Sequence, residues 1–150
     1  MPSTEQSITI HRPPDIVFRY MDDITREREW QPSLRKASQE PTGPTRVGTR
    51  KRYVSEFLGR RVENTYLAVE VDPGRRVRYE STRDSSVDAT MELTWTPAPE
   101  GTHVSLRVEG RPKGVLRFIP KAVLQEAWQS QLRTTLDRLK ECLERDSAPR

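Results

Sequence analysis

Apolar and polar residues alternate through residues 7–12, with Ile8 and Ile10 on one side and Ser7, Thr9 and His11 on the other. That period of two predicts a strand. After Pro13-Pro14-Asp15 the spacing of Ile16, Val17, Tyr20, Met21 and Ile24 becomes helical. Proline in a first turn, with an acid beside it, suits the unpaired amides and the dipole of a helix start. A second short helix is predicted over 25–30, stopped by Pro32, and residues 39–48 read as a loop because Pro41, Gly43, Pro44 and Gly48 crowd into them.

From 48 to 110 the period is again close to two, and the breaks at Leu58-Gly59, Asp72-Pro73-Gly74, Asp84-Ser85 and Pro97 to Gly101 cut it into about five strands. Successive hairpins imply an antiparallel sheet. Beyond Pro112 the apolar positions Phe118, Ile119, Val123, Leu124, Ala127, Trp128, Leu132, Leu136, Leu139 and Leu143 form one helical stripe, predicting a long helix over 120–144. Residues 146–150 read as a frayed polar tail.

Turn length sets the facing of the strands. A two-residue turn at Leu58-Gly59 places Phe57 opposite Arg60, Ser55 opposite Val62 and Tyr53 opposite Asn64. A turn at Pro73-Gly74 pairs Asp72 with Arg75, Ala68 with Tyr79 and Glu70 with Val77. One face then collects Tyr53, Ser55, Phe57, Val62, Asn64, Tyr66, Ala68, Val77 and Tyr79, continued by Val87, Ala89, Met91, Leu93, Trp95, Val104, Leu106 and Val108. The other holds Arg52, Glu56, Arg61, Arg76, Arg78, Glu80, Glu92, Arg107 and Glu109. A three-residue first turn would instead bring Leu67, Val69 and Val71 inward.

The inward set reads either as plain core or as the wall of a pocket. Three tyrosine hydroxyls, Ser55 and Asn64 in an apolar wall resemble the few polar handles of a ligand site. Trp128, Gln131 and Leu132 lie on the helix face that should close it. Lys51 shares the parity of Tyr53, and there it either meets a ligand carboxylate or enolate, has a lowered pKa, or snorkels to water from the strand end.

The chain has 150 residues, 33% hydrophobic and 32% charged, which suits one domain over 1–150 with its core at about 7–144. No stretch approaches a membrane span and residues 1–10 lack the apolar block of a secretory signal, so a cytoplasmic protein is expected. A single cysteine, Cys142, and two histidines, His11 and His103, are too few for a zinc site; no metal or cofactor is expected. Both histidines are out of phase with the apolar positions, and Cys142 reads as a half-buried inert thiol. The net charge of +4 is mild. Arginines cluster at Arg50/Lys51/Arg52, Arg60/Arg61 and Arg75/Arg76/Arg78, but interleaved acids suggest cross-strand ion pairs on a solvated face rather than a nucleic-acid stripe.

Several short words sharpen this picture. Pro14-Asp15-Ile16-Val17-Phe18, Glu29-Trp30-Gln31-Pro32, Val47-Gly48-Thr49-Arg50, Glu70-Val71-Asp72-Pro73 and Gly101-Thr102-His103-Val104 occur in this order. With the long final helix, they resemble the polyketide cyclase/dehydrase-like branch of the START and Bet v 1-like (SRPBCC) superfamily. The resemblance implies an α+β helix-grip fold: a curved antiparallel sheet of about seven strands around a long C-terminal helix, with two short helices after the first strand. It also implies a cavity for a polyketide-, aromatic- or lipid-like molecule, with Trp30 near its entrance. The expected ligand-binding set is Trp30, Lys51, Tyr53, Ser55, Phe57, Asn64, Tyr66, Tyr79, Met91, Leu93, Leu106, Trp128, Gln131 and Leu132. Three functions stay open: a carrier or sensor, a polyketide cyclase or dehydratase drawing on Lys51, Tyr53, Tyr66 or Tyr79, and a protein-interaction module. A monomer or homodimer is expected, with neither nucleic acid nor a membrane span involved.

Overall fold

The computed structural model describes residues 3–145, so the tail at 146–150 lies outside the described residues. Strand β1 (Ser3–Ile10) leads into α1 (Pro14–Asp22), a single 3-10 turn (Ile24–Arg26) and the one-turn helix α2 (Glu27–Trp30). The strands β2 (Leu34–Glu40), β3 (Arg50–Phe57), β4 (Arg60–Asp72), β5 (Arg76–Ser81), β6 (Val87–Ala98) and β7 (Gly101–Pro112) follow. A 3-10 turn (Gly114–Phe118) then precedes α3 (Lys121–Arg145). All neighbours are antiparallel, in the order β1-β7-β6-β5-β4-β3-β2, so the sheet runs as a meander until β7 returns to β1. This is the helix-grip architecture.

The Leu58-Gly59 hairpin has two residues, with φ of 52° and 75°, the paired positive angles of a type I′ turn. Phe57 consequently faces Arg60, Ser55 faces Val62 and Tyr53 faces Asn64, as the alternation predicts. The next hairpin differs. Its loop spans Pro73, Gly74 and Arg75, so Asp72 pairs with Arg76 and Glu70 with Arg78 instead of Val77. An irregularity between Ala68 and Glu70 absorbs the extra residue and restores Ala68 opposite Tyr79. The inward parity of β5 is therefore preserved by a bulge.

Strand β2 is an element that the hydrophobic pattern does not announce. Its sequence LRKASQE has no β-branched residue, and it forms because β3 offers a partner edge. The first members of the predicted helical stripe also depart from expectation: Phe118 precedes α3 and is 74% exposed, and Val123 is 47% exposed. From Leu124 onward the stripe is seated, with Leu136 and Leu139 fully buried against Ile10, Val17, Trp95 and Val104. Leu139→Ala should cost roughly 2–5 kcal/mol, measured by urea unfolding, because both transfer and cavity contributions are lost.

Helix α3 also shields the outer edge of β1. Gln125 donates to the Ser3 carbonyl, Arg133 to the Ser7 carbonyl at 2.8 Å, and Lys140 to the Thr9 carbonyl at 2.7 Å. On the convex face, Arg52 meets Glu63, Arg76 meets Glu70 and Glu92, Arg78 approaches Glu80, and Arg107 meets Glu109. Most of the clustered arginines thus face interleaved acids.

Candidate functional site

Between the concave face and α3 lies a cavity of about 200 Å³. The alternation of β3 brings Lys51, Tyr53, Ser55 and Phe57 to its wall, β4 brings Asn64 and Tyr66, and β5 brings Tyr79. Met91 and Leu93 enter from β6 and Leu106 from β7, while Trp128, Gln131 and Leu132 descend from α3 and Trp30 from α2. Every residue of the expected ligand-binding set lines this one space. Trp30 is 3% exposed and forms inner wall rather than an entrance, and Leu132 is half-buried because the cavity lies beside it.

Trp128 owes its seat to a glycine. A Cβ on Gly110 would stand 2.6 Å from the outer edge of the indole and 3.3 Å from Val87, so the strand must lack a side chain there. Phe57 stacks obliquely on the same indole, with ring centroids 6.3 Å apart. Gln131 donates to the Ser33 hydroxyl at 2.7 Å, which ties α3 to the chain after α2. Asn64 is less available than the sequence implies, since its amide pairs with the backbone of Val87 and splices the start of β6 onto β4 where β5 has ended.

One end of the cavity is polar and buried. Lys51 is 2% exposed and its Nζ lies 3.4 Å from Asp22 Oδ1, so the strand-end lysine reaching for water is not what forms. Asp22 also accepts from the Thr45 amide at 3.0 Å and the Thr45 hydroxyl at 2.5 Å, pinning the loop before β3. Burial works against the charge of Lys51, but Tyr79, Glu27 and Asp22 outweigh it and hold its pKa above the ordinary lysine value, opposite to a lowered one. The Lys51 ammonium also lies 5.4 Å from the Tyr79 ring centre. Burial raises the Tyr79 pKa, with Lys51 and Thr45 partly opposing.

Glu27 is the cavity residue that sequence reading missed. It is 3% exposed; Tyr53 donates to its Oε1 at 2.8 Å and Gln31 to its Oε2 at 2.5 Å. Burial pushes its pKa up to about 7, against the opposing pull of Lys51 and the Tyr53 hydrogen bond. Burial likewise drives Tyr53 well above the ordinary tyrosine value and Tyr66 to about 12. A signal exists: Trp30 reads as a pocket residue, and residues three apart share a helix face, which puts Glu27 inward as well.

The remaining candidates stay outside this site. His11 and His103 are exposed on the far side of β1 and β7, and Cys142 is fully buried, its Sγ 3.5 Å from the Glu29 carbonyl oxygen. Among the described residues no three His, Cys, Asp or Glu side chains gather in metal-binding geometry, and no helix is long and apolar enough to cross a membrane.

The architecture has well-matched relatives. A protein of Thermus thermophilus superposes with a TM-score of 0.83 at 20% identity, covering 98% of this chain and 100% of its own. A START superfamily protein from Mycobacterium smegmatis gives 0.80 at 10% identity, covering 97% and 99%. The Zhui aromatase/cyclase of Streptomyces sp. R1128 gives 0.79 at 16% identity, covering 95% and 93%. No curated protein matches the chain in sequence. The family model described as polyketide cyclase / dehydrase and lipid transport matches residues 1–144.

Proposed function

Because the chain belongs to the polyketide cyclase/dehydrase and lipid transport family, we propose that it binds a hydrophobic small molecule in the cavity between sheet and α3, as a carrier or sensor. The observation that carries this reading is the cavity itself: about 200 Å³ walled by Phe57, Met91, Leu93, Leu106, Trp128 and Leu132, with polar groups gathered at one end. A dry cavity of about 150 Å³ accommodates benzene, so this one suits a compact ligand of one or two rings rather than an extended polycycle or acyl chain. Thr4 Oγ1 and Trp30 Nε1, buried in wall residues, have no protein partner among the described residues, which fits a space meant to hold more than side chains.

An interaction module needs no such void, so the cavity favours the ligand over that function. Nucleic acid has no part in this reading, since Arg52, Arg76, Arg78 and Arg107 on the outward face meet glutamates. A second reading, a cyclase or dehydratase, draws on Glu27, whose pKa near neutrality beside the Tyr53 hydroxyl suits proton transfer. A carrier releases its ligand unchanged; an enzyme converts it.

Native mass spectrometry of freshly purified protein tests the binding claim, with a retained apolar adduct as the expected result. Saturating naphthalene should also raise the melting temperature, because a ligand bound by the native state alone stabilises it. Bare protein together with an unmoved melting temperature would overturn the reading.

A further inference from the structure

The Asn64 amide settles the direction of one hydroxyl in the cavity. Its Oδ1 accepts the Val87 N–H at 3.0 Å and its Nδ2 donates to the Val87 carbonyl at 3.0 Å, which fixes the amide orientation. The same Nδ2 approaches the Tyr66 hydroxyl oxygen at 3.1 Å. An amide nitrogen only donates, so Tyr66 is the acceptor and keeps its own hydrogen. That hydrogen has no acceptor among the described residues, and the Tyr66 side chain lines the cavity. Tyr53 is the contrast: its ring centre is 5.9 Å from that of Tyr66, but its hydrogen is given to Glu27. Besides the indole N–H of Trp30, the wall therefore offers the Tyr66 hydroxyl as a free donor, in the same cavity as the Glu27 carboxyl.

Charges around that carboxyl come from every side. Asp22 stands at the end of α1, Lys51 and Tyr53 on β3, Tyr66 on β4 and Tyr79 on β5. Helix α3 sends the neutral Gln131 and Thr135 to the cavity, while its Arg138 and Cys142 turn to the Glu29 carbonyl. Glu92 and Arg107, from β6 and β7, are held by Arg76 and Glu109 on the convex face. Lys51 faces two carboxyls, Asp22 at 3.4 Å and Glu27, so when both are ionised one negative charge is in excess.

We propose that the cavity takes a neutral ligand of one or two rings whose acceptor oxygen is held by the Tyr66 hydroxyl, and that seating this ligand adds a proton to Glu27. The proposal rests on the small-molecule reading above. An apolar body filling the space beside the Glu27 carboxyl lowers the polarity around it and favours its neutral form. A ring ketone or lactone meets both conditions, supplying an oxygen for Tyr66 and no charge for Glu27. Linkage then requires such a ligand to bind more weakly as pH rises above neutrality.

Calorimetry with two probes of matched shape tests this: 1-tetralone, which has a ring carbonyl, and tetralin, which has none. The protein should prefer tetralone about 3–10-fold, the range expected of one net hydrogen bond. Tyr66→Phe should abolish that preference while leaving tetralin binding intact. Titrations at pH 8 in phosphate and in Tris, whose protonation heats differ, should reveal uptake of more than about half a proton per ligand. Glu27→Gln should remove the uptake and keep the preference. The two-buffer comparison and Tyr66→Phe need no folded Glu27 variant. Equal binding of the two probes, or binding without proton uptake, would overturn the proposal and leave the small-molecule reading standing. If neither probe binds, the small-molecule reading fails with it.

Discussion

Replacing Lys51 by methionine is expected to destabilise the protein by about 3–5 kcal/mol at pH 7, the usual cost of stripping one partner from a buried ion pair. Methionine fills a similar volume, so the loss isolates the charge. Without the ammonium, the Asp22 carboxylate, whose side chain is 11% exposed, loses its counter-ion, and Glu27 loses the cation that opposes its protonation. The double variant Lys51→Met/Asp22→Asn should recover most of the stability, since the substituted amide oxygen still accepts from the Thr45 amide and the one carboxyl that remains, Glu27, is favoured by burial in its neutral form. Urea unfolding of the two variants checks this. A loss below about 1 kcal/mol for Lys51→Met would mean that the ammonium finds water after all.

The second large effect is a pH profile. The Glu27 pKa stands at about 7 in the folded chain against an ordinary 4.5, so between those values the native state holds more protons than the unfolded one. The contribution is fully present below about pH 4.5 and is lost as pH rises through 7. A shift of this size amounts to about 3 kcal/mol. Glu27→Gln cannot titrate, and it keeps both neighbours if the Gln31 amide turns to present its oxygen. The variant should therefore lose about 2–3 kcal/mol less than the parent chain between pH 5 and pH 8, and it should be the more stable protein at pH 8. Parallel profiles in urea unfolding across that range would contradict the buried, near-neutral carboxyl.

Much of this site is legible in the sequence. Because Leu58-Gly59 makes a two-residue hairpin, parity alone assigns Tyr53, Ser55, Phe57, Asn64 and Tyr66 to one face. The change from a period of two to a helical period locates α3 and, with it, Trp128 and Gln131. Glu27 and Asp22 are opaque for a physical reason. Set among Asp23, Arg26, Arg28 and Glu29, they look like part of a solvated helix surface, and only the packing of α1 and α2 over β3 buries these two. Strand β2 is hidden because its strand character comes from its neighbour rather than from its own side chains. The bulge before Glu70 is hidden too, since a loop longer by one residue and a bulge of one residue cancel in the alternation that a reader can see.

The side chains that α3 lays along β1 bear on how copies of this chain can meet. An open sheet invites growth by strand addition, with a second chain pairing to the outermost carbonyls. Here those of Ser3, Ser7 and Thr9 are already taken by Gln125, Arg133 and Lys140. At the opposite border, β2 exposes Arg35 and Lys36 and breaks register between Leu34 and Lys36, so it offers a newcomer like charges and a short straight run. The sheet is therefore guarded against edgewise polymerisation at both margins, and the long helix that closes the cavity is also its protection against cross-β aggregation.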